Sequence, residues 1–179
     1  MRNIWIVLVV LAVLAGCAQG GSPAGASERR TAGTVLDDQD IERKAQQRIA
    51  DKFAATVQVN VTCFNRYALI TGQVPNETAK MEIERIVGGI PPVKGIANEL
   101  QVVAKPVIGP DHDGAISNDV RSRFGGSKAF NRDHIKVYTQ NGVVYLMGIV
   151  THAEADAASE IASTTNGVQK VVRVFEYMD

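Results

Sequence analysis

Apolar residues recur four apart at Ile41, Ala45, Ile49 and Phe53, the spacing that lines one side of a helix. Asp37 or Asp38 is placed to cap its start. The period then changes. Val57, Val59, Val61 and Cys63 alternate with polar residues, which predicts a half-buried strand from Val57 to Phe64. Asn65-Arg66 makes a tight connection, and Tyr67 to Val74 reads as the return strand. Asn76 caps a second helix that carries Ala79, Ile83, Ile86 and Val87 on its inner side. Gly88-Gly89 ends that helix, Pro91-Pro92 prevents its resumption, and Ile96 to Val103 is a third strand.

The same order then repeats. After a stiff run, Lys105-Pro106-Val107-Ile108-Gly109-Pro110, a helix begins at Asp113, carries Ile116, Val120 and Phe124, and stops at Gly125-Gly126. Ile135 to Thr139 and Val143 to Val150 are strands joined by Asn141-Gly142, a strong hairpin signal. Thr151 with Glu154 has the capping-box pattern, and the helix it opens runs through Ala155, Ala158, Ile161 and Ala162. Val168 to Tyr177 is the last strand. Gly72 and Gly148 hold equivalent strand positions, and Val93-Lys94-Gly95-Ile96 aligns with Val168-Gln169-Lys170-Val171. The pattern therefore predicts an α+β protein made of two tandem α-β-β-α-β units, residues 35–104 and 113–179, with 105–112 as linker. The glycines are expected where one strand's backbone approaches another closely.

The amino terminus changes the picture. Met1-Arg2-Asn3 is a short positive segment, and Ile4 to Val13 is an unbroken apolar run of ten residues, too short to span a hydrocarbon core of about 30 Å. It has the length of a secretory signal. Leu14-Ala15-Gly16-Cys17 follows and resembles the lipobox of bacterial lipoproteins, in which the cysteine thiol accepts a diacylglyceryl group. Residues 1–16 are then a signal peptide, and Cys17 carries the lipid as the chain's one covalent group, with no other cofactor expected. Residues 17–34, rich in Gly, Ala and Ser, are expected to be a flexible tether with a reach of roughly 20–25 Å. Without Arg2 the chain has 18 basic and 19 acidic side chains; so balanced a charge argues against a nucleic-acid partner. Cys63, the remaining cysteine, is expected to be a buried thiol.

A strand ending in Gly-x-Val, a helix, and Val-x-x-Val leading into a final strand resemble the BON domain. Asn118-Asp119-Val120-Arg121-Ser122, the hairpin Thr139 to Gly148 and the segment Ala155 to Gly167 carry the likeness most clearly. Two such units behind a lipobox resemble the DolP family of dual BON-domain outer-membrane lipoproteins over essentially the whole mature chain. The resemblance implies, for each unit, a small three-stranded mixed sheet packed against two helices. It also implies attachment at the periplasmic face of the outer membrane, enrichment at division sites, and support of envelope integrity and of the barrel-assembly complex. The second domain would bind anionic phospholipid, phosphatidylglycerol and cardiolipin, through its first helix. In the family an exposed aromatic near that helix's start enters the bilayer; Ala115 stands there in this chain, and the helix ends early at Gly125, so the depth of insertion stays open.

The residues supply a case of their own. Arg121, Arg123, Lys128, Arg132 and Lys136 lie within sixteen positions that hold one acid, Asp133. Near an anionic surface each basic residue adds on the order of 1 kcal/mol. Asp113 and Asp119 dilute the patch, so a plain solvated face is the competing explanation. The candidate phospholipid-binding residues are thus Ala115, Ile116, Asp119, Val120, Arg121, Arg123, Phe124 and Lys128. Helical spacing alone favours core positions for Ile116 and Val120, whereas Phe124, at the helix end, has the position to reach lipid. His112, His134 and His152 are isolated, and no catalytic or metal-ligating motif appears in its required context; neither an enzyme nor a metal site is expected. A protein adaptor, docking barrel-assembly or division machinery through a sheet edge or an inter-domain groove, is the alternative.

Overall fold

The computed structural model describes residues 28–104 and 112–179. The first unit consists of α1 (Ala32–Phe53), β1 (Gln58–Phe64), β2 (Tyr67–Val74), α2 (Glu77–Gly88) and β3 (Gly95–Val102). The second consists of α3 (Asp113–Gly125), β4 (Ile135–Gln140), β5 (Val143–Val150), α4 (His152–Ser163) and β6 (Lys170–Tyr177). In each, the middle strand pairs antiparallel with its hairpin partner and parallel with the last strand. Both sheets are therefore three-stranded and mixed, as the pattern and the resemblance predict.

The two hairpins turn by the same device. Asn65 and Arg66 have φ of 52° and 64°, and Asn141 and Gly142 have 51° and 73°, the left-handed pair that matches strand twist in a two-residue turn. In each unit one aspartate on the first helix holds the turn. Asp38 accepts from the Asn65 and Arg66 amides at 2.9 and 2.6 Å; Asp113 accepts from those of Asn141 and Gly142 at 2.7 and 2.8 Å. Asp38 is thus no helix cap. Thr31 caps α1 by accepting from the Thr34 amide, and the helix begins more than a turn before the expected start.

Alternation along the strands assigns side chains to two cores. Ala68, Ile70 and Val74 of β2 meet Ile41, Ala45, Ile83 and Val87 of α1 and α2, and Val144, Leu146 and Val150 of β5 meet Val120, Phe124, Ala155 and Ala158. The opposite faces pack on each other: Phe64 and Leu69 of the first sheet join Tyr145 and Met147 of the second. The layers run helices, sheet, sheet, helices. Polar bonds cross the join, with the Lys136 ammonium donating to Glu42 at 2.7 Å and to the Cys63 carbonyl at 3.1 Å. The close backbone approach expected at the paired glycines is present. A Cβ on Gly72 would fall 1.9 Å from the Gln58 carbonyl, and one on Gly148 would fall 2.5 Å from that of His134.

Residues 28–34, expected as the end of the tether, are held in place. Arg29 grips both carboxylate oxygens of Glu154 at 2.7 and 2.8 Å and donates to the Ile149 carbonyl. Arg30 pairs with Glu28 and Asp38 and lies 3.9 Å over the Phe64 ring. Consecutive arginines thereby clasp the two units from the side on which the chain enters. The signal segment, Cys17, the earlier part of the tether and most of the linker lie outside the described residues. Among the described residues, no helix is long and apolar enough to cross a membrane.

Candidate functional site

α3 carries most of the candidate residues, and its inner and outer sides divide them. Ile116 and Val120 are buried, as helical spacing predicts, and this corrects their place among the candidate phospholipid-binding residues. Phe124 is buried too, with 1% of its surface exposed and its ring edge-on to Phe130 at 5.0 Å. The expectation that Phe124 reaches lipid is therefore corrected. The 3₁₀ turn at Arg132–His134 is preceded by a loop that folds Phe130 back over the helix end. No periodicity argument on the helix itself could foresee that cover.

The outer side presents Ala115, Asp119, Arg121, Arg123 and Lys128, all exposed. Two of the arginines also do structural work. Arg123 donates to the Ile161 carbonyl and the Thr165 hydroxyl, both at 2.7 Å, which satisfies groups left over at the end of α4. Arg121 donates to the Val137 carbonyl and to Asn118. Of the five clustered basic residues, Lys136 is committed to the join between units, and Arg132 lies 3.6 Å from Asp133. Lys128 and Arg132 are what the cluster offers to solvent without also fastening another element, while Arg121 is exposed but bonded to β4.

Beside α3 runs an open groove of about 960 Å³. Ala115, Asp119 and Arg121 form one wall and Gln140, Asn166 and Gln169 the other, while Gln58 reaches it from the first unit. The lining offers amide donors and acceptors, the carboxylates of Asp113 and Asp119, the His112 ring and the Arg121 guanidinium. Chemically it suits a hydroxylated polar group rather than an apolar one, with Arg121 as the cation on its wall. The groove's glutamines and Asn166 escape notice in the sequence, since lone amides in turns carry no motif.

The other polar groups named from the sequence are engaged within the fold. Cys63 is fully buried and its thiol donates to Asp38 at 3.3 Å; burial, with the Asp38 charge adding to it, pushes that thiol well above its ordinary range. His152 stacks on Tyr177 with 4.0 Å between centroids and bonds Asp179. His134 is buried, its Nδ1 being 3.8 Å from Glu154. Arg29 beside Glu154 holds that carboxyl down to about 2, against the opposing effect of burial.

Paired α-β-β-α-β units with their sheets back to back define a tandem-repeat α+β protein. The chain belongs to the BON-domain family, whose model matches residues 37–104 and 112–179. It is 32% identical to the outer membrane lipoprotein DolP of Haemophilus influenzae over 188 residues, covering 100% of this chain and 97% of that one. It is 30% identical to the 21 kDa hemolysin of Actinobacillus pleuropneumoniae, covering 83% and 78%. To the osmotically-inducible protein Y of Escherichia coli it is 26% identical, covering 81% and 75%.

Proposed function

We propose that the chain is an outer-membrane lipoprotein, anchored through a lipid on Cys17 at the periplasmic face, whose second domain contacts anionic phospholipid headgroups along α3. Homology over its full length to an outer membrane lipoprotein supports an envelope-associated role, and the groove walled by Arg121 is the observation that carries the headgroup assignment. Phosphatidylglycerol and cardiolipin combine a phosphate, for Arg121 and Lys128, with free hydroxyls for the amides opposite. Envelope support, concentration at division sites and cooperation with the barrel-assembly complex follow as parts of the same reading.

Contact of this kind is superficial. Among the described residues, the exposed large hydrophobics of the second domain are Tyr177 and Met178, neither of them on α3, so α3 itself adds no apolar wedge to the charges. Three basic residues at a surface give about 3 kcal/mol, which is weak for a free protein. A tether removes that weakness by raising the effective concentration. Cys17 and Arg29 are twelve positions apart, so the intervening chain spans at most about 40 Å and keeps the second domain within that distance of the lipid.

Co-sedimentation of residues 28–179 with vesicles tests the assignment. Binding should rise with phosphatidylglycerol content and vanish near 1 M salt, where the screening length is about 3 Å. Arg121→Glu with Lys128→Glu should abolish it, while Arg121→Gln alone, run beside it, shows by its melting temperature what the Arg121 bond to the Val137 carbonyl contributes to stability; Arg123 is spared because it holds α4. Undiminished binding by the double variant would move the site elsewhere.

A further inference from the structure

The sheets do not fill the space between them evenly. Phe64, Leu69, Tyr145 and Met147 close one part of the gap. Toward β3 and β6 the small residues Ala97 and Gly148 leave a crevice of about 400 Å³, within the range of pockets that take small ligands or side chains. Phe64, Tyr67, Val172 and Val174 make it apolar. Glu99 stands at its edge, half-buried, with no hydrogen-bond or ion-pair partner among the described residues. Its charge is felt inside: burial first, and Glu99 second, push the Tyr145 phenol up to about 12. Glu176, held by Asn65 at 2.6 Å, adds a second carboxylate, and Arg173, which also lines the crevice, is paired with Asp156 at 2.6 Å.

A carboxylate at the mouth of an apolar crevice, with no cation paired to it, is complementary to a cationic side chain arriving with an apolar neighbour. The same two carboxylates repel an anionic headgroup, so an acyl chain of such a lipid would bring its phosphate against like charge. Backbone geometry supplies the remaining clue. β3 and β6 each pair with one neighbour only, leaving a row of backbone donors and acceptors at the sheet edge. Edges of this type accept an added strand, and a pocket beside them then selects its side chains. Side chains two apart in a strand share a face.

We propose that the crevice between the sheets docks an extended segment of another polypeptide, laid along β6, with an aliphatic or aromatic side chain beside Ala97 and a lysine or arginine two positions away meeting Glu99. This site is independent of lipid contact by α3. It gives the molecule a second binding surface of opposite charge preference.

The test uses the lipidated full chain in phosphatidylcholine nanodiscs and a fluorescein-labelled peptide, acetyl-Thr-Val-Phe-Thr-Lys-Val-Thr-amide, followed by anisotropy. The peptide should bind saturably, and a counterpart with glutamate for the lysine should bind at least about tenfold more weakly. Glu99→Gln should bring the two peptides within about twofold of each other, and Ala97→Trp, which fills the space, should prevent binding of both. Equal binding of the two peptides to the unaltered protein, or discrimination that survives Glu99→Gln, overturns the proposal. Displacement of the peptide by dodecyl phosphate also overturns it, by making the crevice a site for lipid tails.

Discussion

Phe124 shows what a single residue's place in a pattern can and cannot tell. Its spacing from Ile116 and Val120 marks the inner side of a helix, yet a helix end can be open or covered, and the cover comes from Phe130, six positions on. Phe124→Ala should therefore cost about 3–5 kcal/mol of stability, seen as a fall in the calorimetric midpoint. Vesicle binding per folded molecule should stay as it was. Loss of binding with stability intact would return Phe124 to the membrane. Arg123 carries a related lesson: a basic residue near anionic lipid can be engaged by its own fold, here by the Ile161 carbonyl. Bonds to a distant helix end leave no trace in local sequence.

Most elements were legible because period and punctuation agreed. Tyr67–Val74 and Val143–Val150 stand where the apolar runs stand, and the Thr151–Glu154 capping box forms both of its bonds. The start of α1 was hidden because Asp38, which reads as a cap, is spent on the hairpin turn across the domain. The internal repeat predicts the consequence. Asp113→Ala leaves two turn amides without their acceptor and should cost about 1–2 kcal/mol. Asp38→Ala also removes one of the two carboxylates on Arg30 and the acceptor of the buried Cys63 thiol, and should cost about 2–4 kcal/mol. Denaturant midpoints of the two variants check the order; equal losses would show that the devices are not graded by burial.

Across the whole molecule, the packing of one sheet on the other was not legible in the sequence, although two strand segments are consistent with it. Ala68 to Ile70 and Val143 to Met147 are apolar at every step, which means both faces are covered. What composition cannot give is which surface does the covering, since a second sheet and a partner protein ask for the same residues. The arginine clasp adds pH dependence to this join. Glu154 sits at about 2 when folded against an ordinary 4.5, so its contribution is complete above pH 4.5 and disappears as pH falls from there toward 2. The loss should be on the order of 2 kcal/mol in urea titrations between pH 5 and 2.5, and smaller in Glu154→Gln, which keeps the capping pattern but not the charge. The proposal that lipid headgroups meet α3 is tested most directly by an NMR titration of residues 28–179 with micelles containing phosphatidylglycerol. Amide shifts should concentrate in residues 113–128 and along Gln140, Asn166 and Gln169, with α1 and α2 unmoved. Shifts confined to the first domain, or none at lipid concentrations that pellet the protein with vesicles, would contradict it.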